Sequence, residues 1–331
     1  MLLVGAGPGL LRADAGALDA GADAALRRET PNADPLFHPR DAGFFSRADL
    51  VSPMCLPNGW AAFVKRNEDD DTIPNELVFT RWGTSAPKPL CRIPGWVNGT
   101  AVGLRAKSAV AFVARAFWIQ TGREPATLWL IDERGCRQVK SKGAALRCNT
   151  GVVASPAGDF AAVTDFRSIV SVNLASGAVK RQQLVSLGDV APVTWDDDGP
   201  VASHDVDGAL HRPDAGRLEA PYWRSPDGRH RVTRAEASRL HIQDLVADGG
   251  ARDFNAELPS QRSALADLTT GGVRWVGPRG LLLEADSETV LDLASLEVRD
   301  VTPAGYAVVC SSPDGQHALL EGPEGWVEGV R

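Results

Sequence analysis

The feature that most restricts this chain is a turn that keeps coming back. Trp223-Arg224-Ser225-Pro226-Asp227-Gly228 and Ser311-Ser312-Pro313-Asp314-Gly315 each stand before an apolar run, the second before His317-Ala318-Leu319-Leu320. Ala154-Ser155-Pro156-Ala157-Gly158 before Phe160-Ala161-Ala162-Val163 is a degenerate third copy. Fainter echoes are Leu56-Pro57-Asn58-Gly59, Trp195-Asp196-Asp197-Asp198-Gly199 and Val276-Gly277-Pro278-Arg279-Gly280. The chemistry of the turn is specific. Proline presets φ near −65°, aspartate accepts backbone N–H bonds, and glycine takes the left-handed conformation that closes a hairpin. A second turn ends the third strand of each period, as in Leu130-Ile131-Asp132-Glu133-Arg134-Gly135, Val172-Asn173-Leu174-Ala175-Ser176-Gly177 and Leu291-Asp292-Leu293-Ala294-Ser295. Two hairpins per period make four strands. From Gly59 to Gly315 the chain covers roughly six periods of about 43 residues, within the range of four-stranded propeller blades.

The expectation is therefore an all-β fold, a β-propeller of about seven four-stranded antiparallel blades, in one domain spanning 1–331. The blades fall near 44–92, 94–142, 146–184, 188–219, 221–258, 267–301 and 303–331. The last has room for three strands, Ala307–Ser311, His317–Glu321 and Trp326–Val330. Its fourth has to come from the lead-in, 1–43, which joins the ring's ends and removes its edge strands. Met1–Val4, Leu10–Ala13 and Ala24–Arg28 are the β-like segments there. No sustained 3.6-residue apolar period with caps is present, and Ala13–Glu29 alone has room for a short helix.

Trp-x-Ser-Pro-Asp-Gly before a strand resembles the repeat of TolB-like and WD-repeat-like propellers, well in two blades, partly in a third, faintly elsewhere, and not over 1–43. The resemblance implies a binding scaffold, a role such propellers fill sometimes attached to hydrolase domains, and is an analogy of fold rather than of activity.

A formal charge of −7 and a pI near 5.4 argue against nucleic acid as a partner, since phosphate binding needs lysines and arginines gathered on one face. The nearest basic stretch, Arg134, Arg137, Lys140, Lys142 and Arg147, reads as a solvated strand and turn. Five widely spaced cysteines, Cys55, Cys91, Cys136, Cys148 and Cys310, are an odd number with no C-x-x-C pair, which predicts reduced thiols rather than disulfides or zinc. Met1-Leu2-Leu3-Val4 has no basic residue before it and is broken at once by glycines and a proline, unlike a secretory signal. No run approaches the roughly 18 apolar residues of a spanning helix. These readings point to the cytoplasm, with no membrane span.

Motifs for chemistry are weaker than their structural alternatives. Val4-Gly5-Ala6-Gly7-Pro8-Gly9-Leu10 is close to a dinucleotide-binding loop, but its third glycine position is Leu10 and no full helix follows. The segment also aligns with Val276-Gly277-Pro278-Arg279-Gly280-Leu281, which favours strand, turn and strand. His204-Asp205-Val206-Asp207-Gly208 carries half of a calcium loop, yet Asp207-Gly208 falls where a type I′ hairpin turn is needed. The histidines at 38, 204, 211, 230, 241 and 317 form no metal-binding pair, and neither a nucleophile elbow nor a phosphate loop is present. No cofactor, metal or catalytic residue is assigned. An enzyme assembled around the central channel needs no local motif, so a propeller hydrolase or lyase with a channel metal, or a small-molecule or ion sensor, stands as the alternative.

Nine tryptophans against two tyrosines supply apolar anchors between blades. Two features stand apart. Arg115-Ala116-Phe117-Trp118-Ile119-Gln120 falls in a long loop, with Trp96 in the preceding inter-blade connection; Glu68-Asp69-Asp70-Asp71 falls in the equivalent loop of the first blade. Aromatics beside a charged rim are what protein interfaces use. Trp96, Phe117, Trp118, Asp69, Asp70 and Asp71 are thus the candidate partner-binding residues of a non-catalytic protein-interaction scaffold. The bland alternative is that Phe117 and Trp118 extend a buried strand.

Overall fold

Strands sandwiched on both faces need apolar side chains at every position, and this pattern recurs here in the second strand of several sheets. A computed structural model describes residues 34–40, 45, 50–65, 75–84, 86–103, 105–114, 125–142, 146–147, 152–165, 168–183, 190–196, 199–204, 210–212, 216–218, 222–236, 238–246, 250–256, 274–283 and 289–331. β1 (His38–Pro39) is followed by a first sheet of β2 (Leu50–Leu56), β3 (Gly59–Val64), β4 (Asn75–Arg81) and β5 (Lys88–Ile93). The second holds β6 (Trp96–Val102), β7 (Ala109–Ala114), β8 (Pro125–Asp132), β9 (Gly135–Val139) and β10 (Leu146–Arg147). The third holds β11 (Val152–Ala154), β12 (Phe160–Asp165), β13 (Ser168–Asn173) and β14 (Val179–Gln183). β15 (Val190–Asp196), β16 (Gly199–His204), β17 (Leu210–Arg212) and β18 (Gly216–Leu218) make the fourth. β19 (Tyr222–Arg224), β20 (His230–Glu236), β21 (Arg239–Asp244) and β22 (Arg252–Asn255) make the fifth. β23 (Trp275–Val276), β24 (Gly280–Leu283), β25 (Thr289–Asp292) and β26 (Val298–Asp300) make the sixth. The seventh combines β27 (Ala307–Ser311), β28 (His317–Gly322) and β29 (Gly325–Val330) with β1.

All described pairings between these strands are antiparallel, and the architecture is a β-propeller of small blades. Six sheets have four strands and one has five, so the expected count of about seven four-stranded blades is corrected to six beside one five-stranded sheet. The extra strand is Leu146–Arg147, expected to open the third blade. It pairs instead with Ala126 and Pro125 of β8, along the edge that β9 also uses. Between the two the chain leaves β8, and the Lys142 N–H donates to the Gly177 carbonyl of the third sheet at 2.7 Å. One outer strand is thereby split in two.

β3 reads Gly-Trp-Ala-Ala-Phe-Val with five of six residues buried, whereas the outermost β14 has no buried residue. The difference follows from position: second strands lie between two neighbouring sheets, and outer strands face water. Separate apolar clusters fill the joints between sheets. Leu77 and Phe63 pack with Val113 and Ile131, Phe112 and Leu128 with Val163, Ala162 with Ala202, Trp223 and Ile242 with Leu281, and Val276 with Leu320. Trp60 and Ala62 of the first sheet pack with Leu319 and Trp326 of the seventh, and β15 of the fourth sheet lies against β19 of the fifth, so the series is circular. Each fully buried Leu or Phe contributes about 1.5–3 kcal/mol relative to leaving it in water.

The closing strand is β1, with His38 opposite Val330 and Pro39 opposite Gly329. This corrects the expected choice among Met1–Val4, Leu10–Ala13 and Ala24–Arg28, which lie outside the described residues. Upstream of it, the Leu36 and Phe37 N–H groups donate to Asp300 and Val301 of the sixth sheet's end, and the Phe37 ring has no exposed surface. Proline suits this edge because its missing N–H is not needed there.

The cysteines also overturn their expectation. Cys55–Cys310 and Cys91–Cys136 are disulfides, with Cα atoms 5.7 and 6.0 Å apart, inside the range a cystine bridges. An odd count and wide spacing gave no hint of it, because each pair joins different blades: β2 to β27, and β5 to β9. Cys148 lies outside the described residues. No helix among the described residues is long and apolar enough to cross a membrane.

Candidate functional site

The ring has two ends, and antiparallel connectivity decides what stands at each. One end collects the connections from second to third strands and from one sheet to the next. There β3 stops at Val64 and β4 starts at Asn75, while β6 starts at Trp96 and β7 stops at Ala114. Trp96, half-buried, pairs with Ala114, the residue before the 115–124 connection. Asn75 is 7% exposed, and its side-chain amide donates to the Ile93 carbonyl at 3.2 Å and to that of Gly95. The residue closing the 66–74 connection therefore ties down the strand-to-strand link that delivers Trp96. Phe117, Trp118, Asp69, Asp70 and Asp71 lie outside the described residues; the structure places the strands that lead to them on this one end. Asn75 went unread in the sequence, where a lone asparagine before a strand carries no signal.

The opposite end collects the Ser-Pro-Asp-Gly turns. The hydroxyls of Ser225 and Ser312, both buried, accept from the N–H of His230 at 2.9 Å and His317 at 3.0 Å and hydrogen-bond Asp227 and Asp314, each at 2.5 Å. Ser155 does the same with Phe160 and Asp159. These turns also lock onto one another. Arg105 N–H donates to Pro156 at 2.7 Å, Asp227 N–H to Pro278 at 3.0 Å, and a Cβ on Gly277, at φ +64°, would stand 2.9 Å from the Gly315 Cα. The third-strand endings behave alike: Asp132, Asn173, Asp244 and Asp292 each accept a backbone N–H from two residues on.

Within the ring at this turn end is a cavity of about 230 Å³. Its wall is drawn from the inner strands β2, β6, β23 and β27 and from Pro226, and includes Met54, Val102, Val276, Val309 and both Cys55 and Cys310. Arg274 lies along the wall, its guanidinium donating to the Val308 carbonyl at 2.6 Å. Such a lining suits a small, mainly apolar molecule.

The seam between first and seventh sheets holds a buried acid. Glu328 is 3% exposed and accepts the Gly83 N–H on both oxygens, at 3.0 and 2.8 Å. His317 Nδ1 lies 3.1 Å from the same carboxylate and Arg40 3.6 Å, while the His317 ring stacks on Trp82 with centroids 5.2 Å apart. The pair looks like an acid–base dyad, yet neither residue lines the cavity. It ties the lead-in, the first sheet and the last together.

Two further groups have displaced acidities. Burial pushes the His230 imidazole down from its ordinary value, against the raising influence of Asp227 and Asp244. Burial pushes Asp292 up, but the N–H groups of Ser295 and Ala294 and the Arg279 guanidinium outweigh it and hold the carboxyl below its usual range.

No family model and no curated protein matches this chain. The likeness to TolB-like and WD-repeat-like repeats thus stays at the level of the propeller fold. His204 ends β16, and the remainder of its expected turn, 205–208, lies outside the described residues, as does Val4–Leu10. No group of three or more His, Cys, Asp or Glu side chains is placed to hold a metal among the described residues.

Proposed function

We propose that this chain is a non-catalytic protein-interaction scaffold whose partner surface is the end bearing Trp96 and the 66–74 and 115–124 connections. The observation that carries the reading is the tie from Asn75 to the Ile93 and Gly95 carbonyls, which anchors the base of one connection to the strand entry that presents Trp96. The first two sheets, which carry both connections, are also bridged to each other by Cys91–Cys136. A stiff base lowers the ordering cost that a flexible interface incurs on binding. The cystines favour work in an oxidising compartment over the cytoplasm suggested by the cysteine count.

The test is Phe117→Ala with Trp118→Ala, and separately Asp69, Asp70 and Asp71→Ala, each compared with the unaltered chain in stoichiometric pull-downs and in thermal melts. The expected outcome is loss of one defined partner with a melting temperature within a few degrees. A fall equivalent to roughly 3–5 kcal/mol per aromatic would instead mark Phe117 and Trp118 as core and sink the surface. A second reading, a small-molecule sensor, is favoured by the cavity at the turn end, and a ligand retained there in native mass spectra would replace the first.

A further inference from the structure

The inner wall of the ring is covalently closed at one place among the described residues where hydrogen bonding does not close it. β2 bonds to β3 and β27 to β28, but no main-chain hydrogen bond runs between β2 and β27, the inner strands of the first and last sheets. Cys55–Cys310 spans that gap between residues 255 apart in sequence. Both strands carry a register shift beside the cysteine, between Val51 and Met54 and between Val308 and Cys310, with Ser52 at φ 52°. Bulges re-aim side chains, and each of these lies beside one of the two cysteines. Both cysteines line the channel cavity.

We propose that Cys55–Cys310 is a reversible thiol–disulfide clasp that holds β2 to β27 on the wall of the channel cavity. A small dithiol entering the cavity attacks Cys310 Sγ, Cys310 being the less buried of the two residues. The S–S bond breaks and its electron pair leaves on Cys55 Sγ, giving a mixed disulfide. The reductant's second thiol then attacks its own bonded sulfur and expels Cys310, so that the dithiol ends as a cyclic disulfide and the protein as two thiols. The outer seam stays shut meanwhile, because β1 remains paired with β29, Phe45 with Trp326, and Glu328 with the Gly83 N–H. Reduction is therefore a local parting of β2 from β27 and not an opening of the ring. Cys91–Cys136 joins β5 to β9 at the outer edge and lines no part of this cavity, so it has no such role.

The experiment is a dithiothreitol titration of the full oxidised chain with alkylation and peptide mapping, followed by hydrogen exchange under the same conditions. The expected result is alkylation of Cys55 and Cys310 while the chain remains folded, with exchange several-fold faster over 50–56 and 307–311, unchanged over 325–330, and restored on reoxidation. The full chain carrying Cys55→Ser and Cys310→Ser should show the faster exchange without reductant and no response to it in those segments. Cysteines that react only on global unfolding, or that react without any change in exchange, overturn the proposal. So does a double variant whose exchange equals that of the oxidised protein.

Discussion

Ser312 shows how much one side chain carries in this repeat. It has no exposed surface, and its hydroxyl accepts the His317 N–H while bonding Asp314, so one small polar residue fixes both arms of a hairpin. A buried group left without such partners costs about 1–3 kcal/mol, which explains why serine precedes proline in the three clearest turns. His230, at the same place in the fifth sheet, is 1% exposed and its Nδ1 has no hydrogen-bond partner. Burial pushes its folded-state pKa down, below the unfolded value of about 6.5. The unfolded chain then takes up a proton that the folded chain refuses. The contribution of neutral His230 is complete above about pH 6.5 and is lost as pH falls from there toward the folded value. Urea midpoints at about pH 7.5 and about pH 5.5 should differ, and His230→Leu should shrink the difference. An unchanged difference would place the effect on other groups.

At the scale of the element, the smallest strand has the largest consequence. β1 is two residues long, yet it covers the outer edge of β29 and is flanked by Phe37 and Phe45, both buried. Phe45 packs edge-on to Trp60 at 4.9 Å, and Trp60 to Trp326 at 6.3 Å, which carries the closure into the core of the seam. A truncation that begins the chain at residue 31 keeps His38–Pro39; one that begins it at residue 46 removes the strand and both phenylalanines. The second should cost several kcal/mol, since each buried Phe is worth about 3–5 kcal/mol on truncation to Ala, and should expose an unpaired edge that promotes association. Equal urea midpoints and a monodisperse sedimentation profile for that shorter chain would refute the closing role. The strand was foreseen in kind but not in place. A two-residue His-Pro segment has no alternation to read, whereas longer apolar segments upstream do, and only the free edge of β29 makes the pairing worthwhile.

At the scale of the molecule, a ring closed by a cystine between residues 255 apart restricts the unfolded chain far more than the folded one. By the chain-entropy relation, loop closure of that size amounts to about 5–6 kcal/mol. The oxidised chain should therefore have a higher urea midpoint than Cys55→Ser with Cys310→Ser, at a similar refolding endpoint in circular dichroism; equal midpoints would mean that strain in the folded chain offsets the constraint on the unfolded one. The amino-acid sequence by itself determined the repeat, the hairpin chemistry, the all-β class and the strands of the last blade, because turns and apolar runs are local and each Ser, Asp, Pro and Gly acts within a few residues of itself. It put Trp96 in the connection between two blades, where the structure makes it the first residue of β6, and it did not show that Asn75 holds that connection in place. The tertiary structure alone decided which strand closes the ring, that Leu146–Arg147 returns to β8, that Glu328 is gripped by Gly83, His317 and Arg40, and that Cys55 faces Cys310 and Cys91 faces Cys136. Each of those joins residues from different sheets, and how far apart two such residues lie depends on the curvature and register of every blade between them, which no local pattern records.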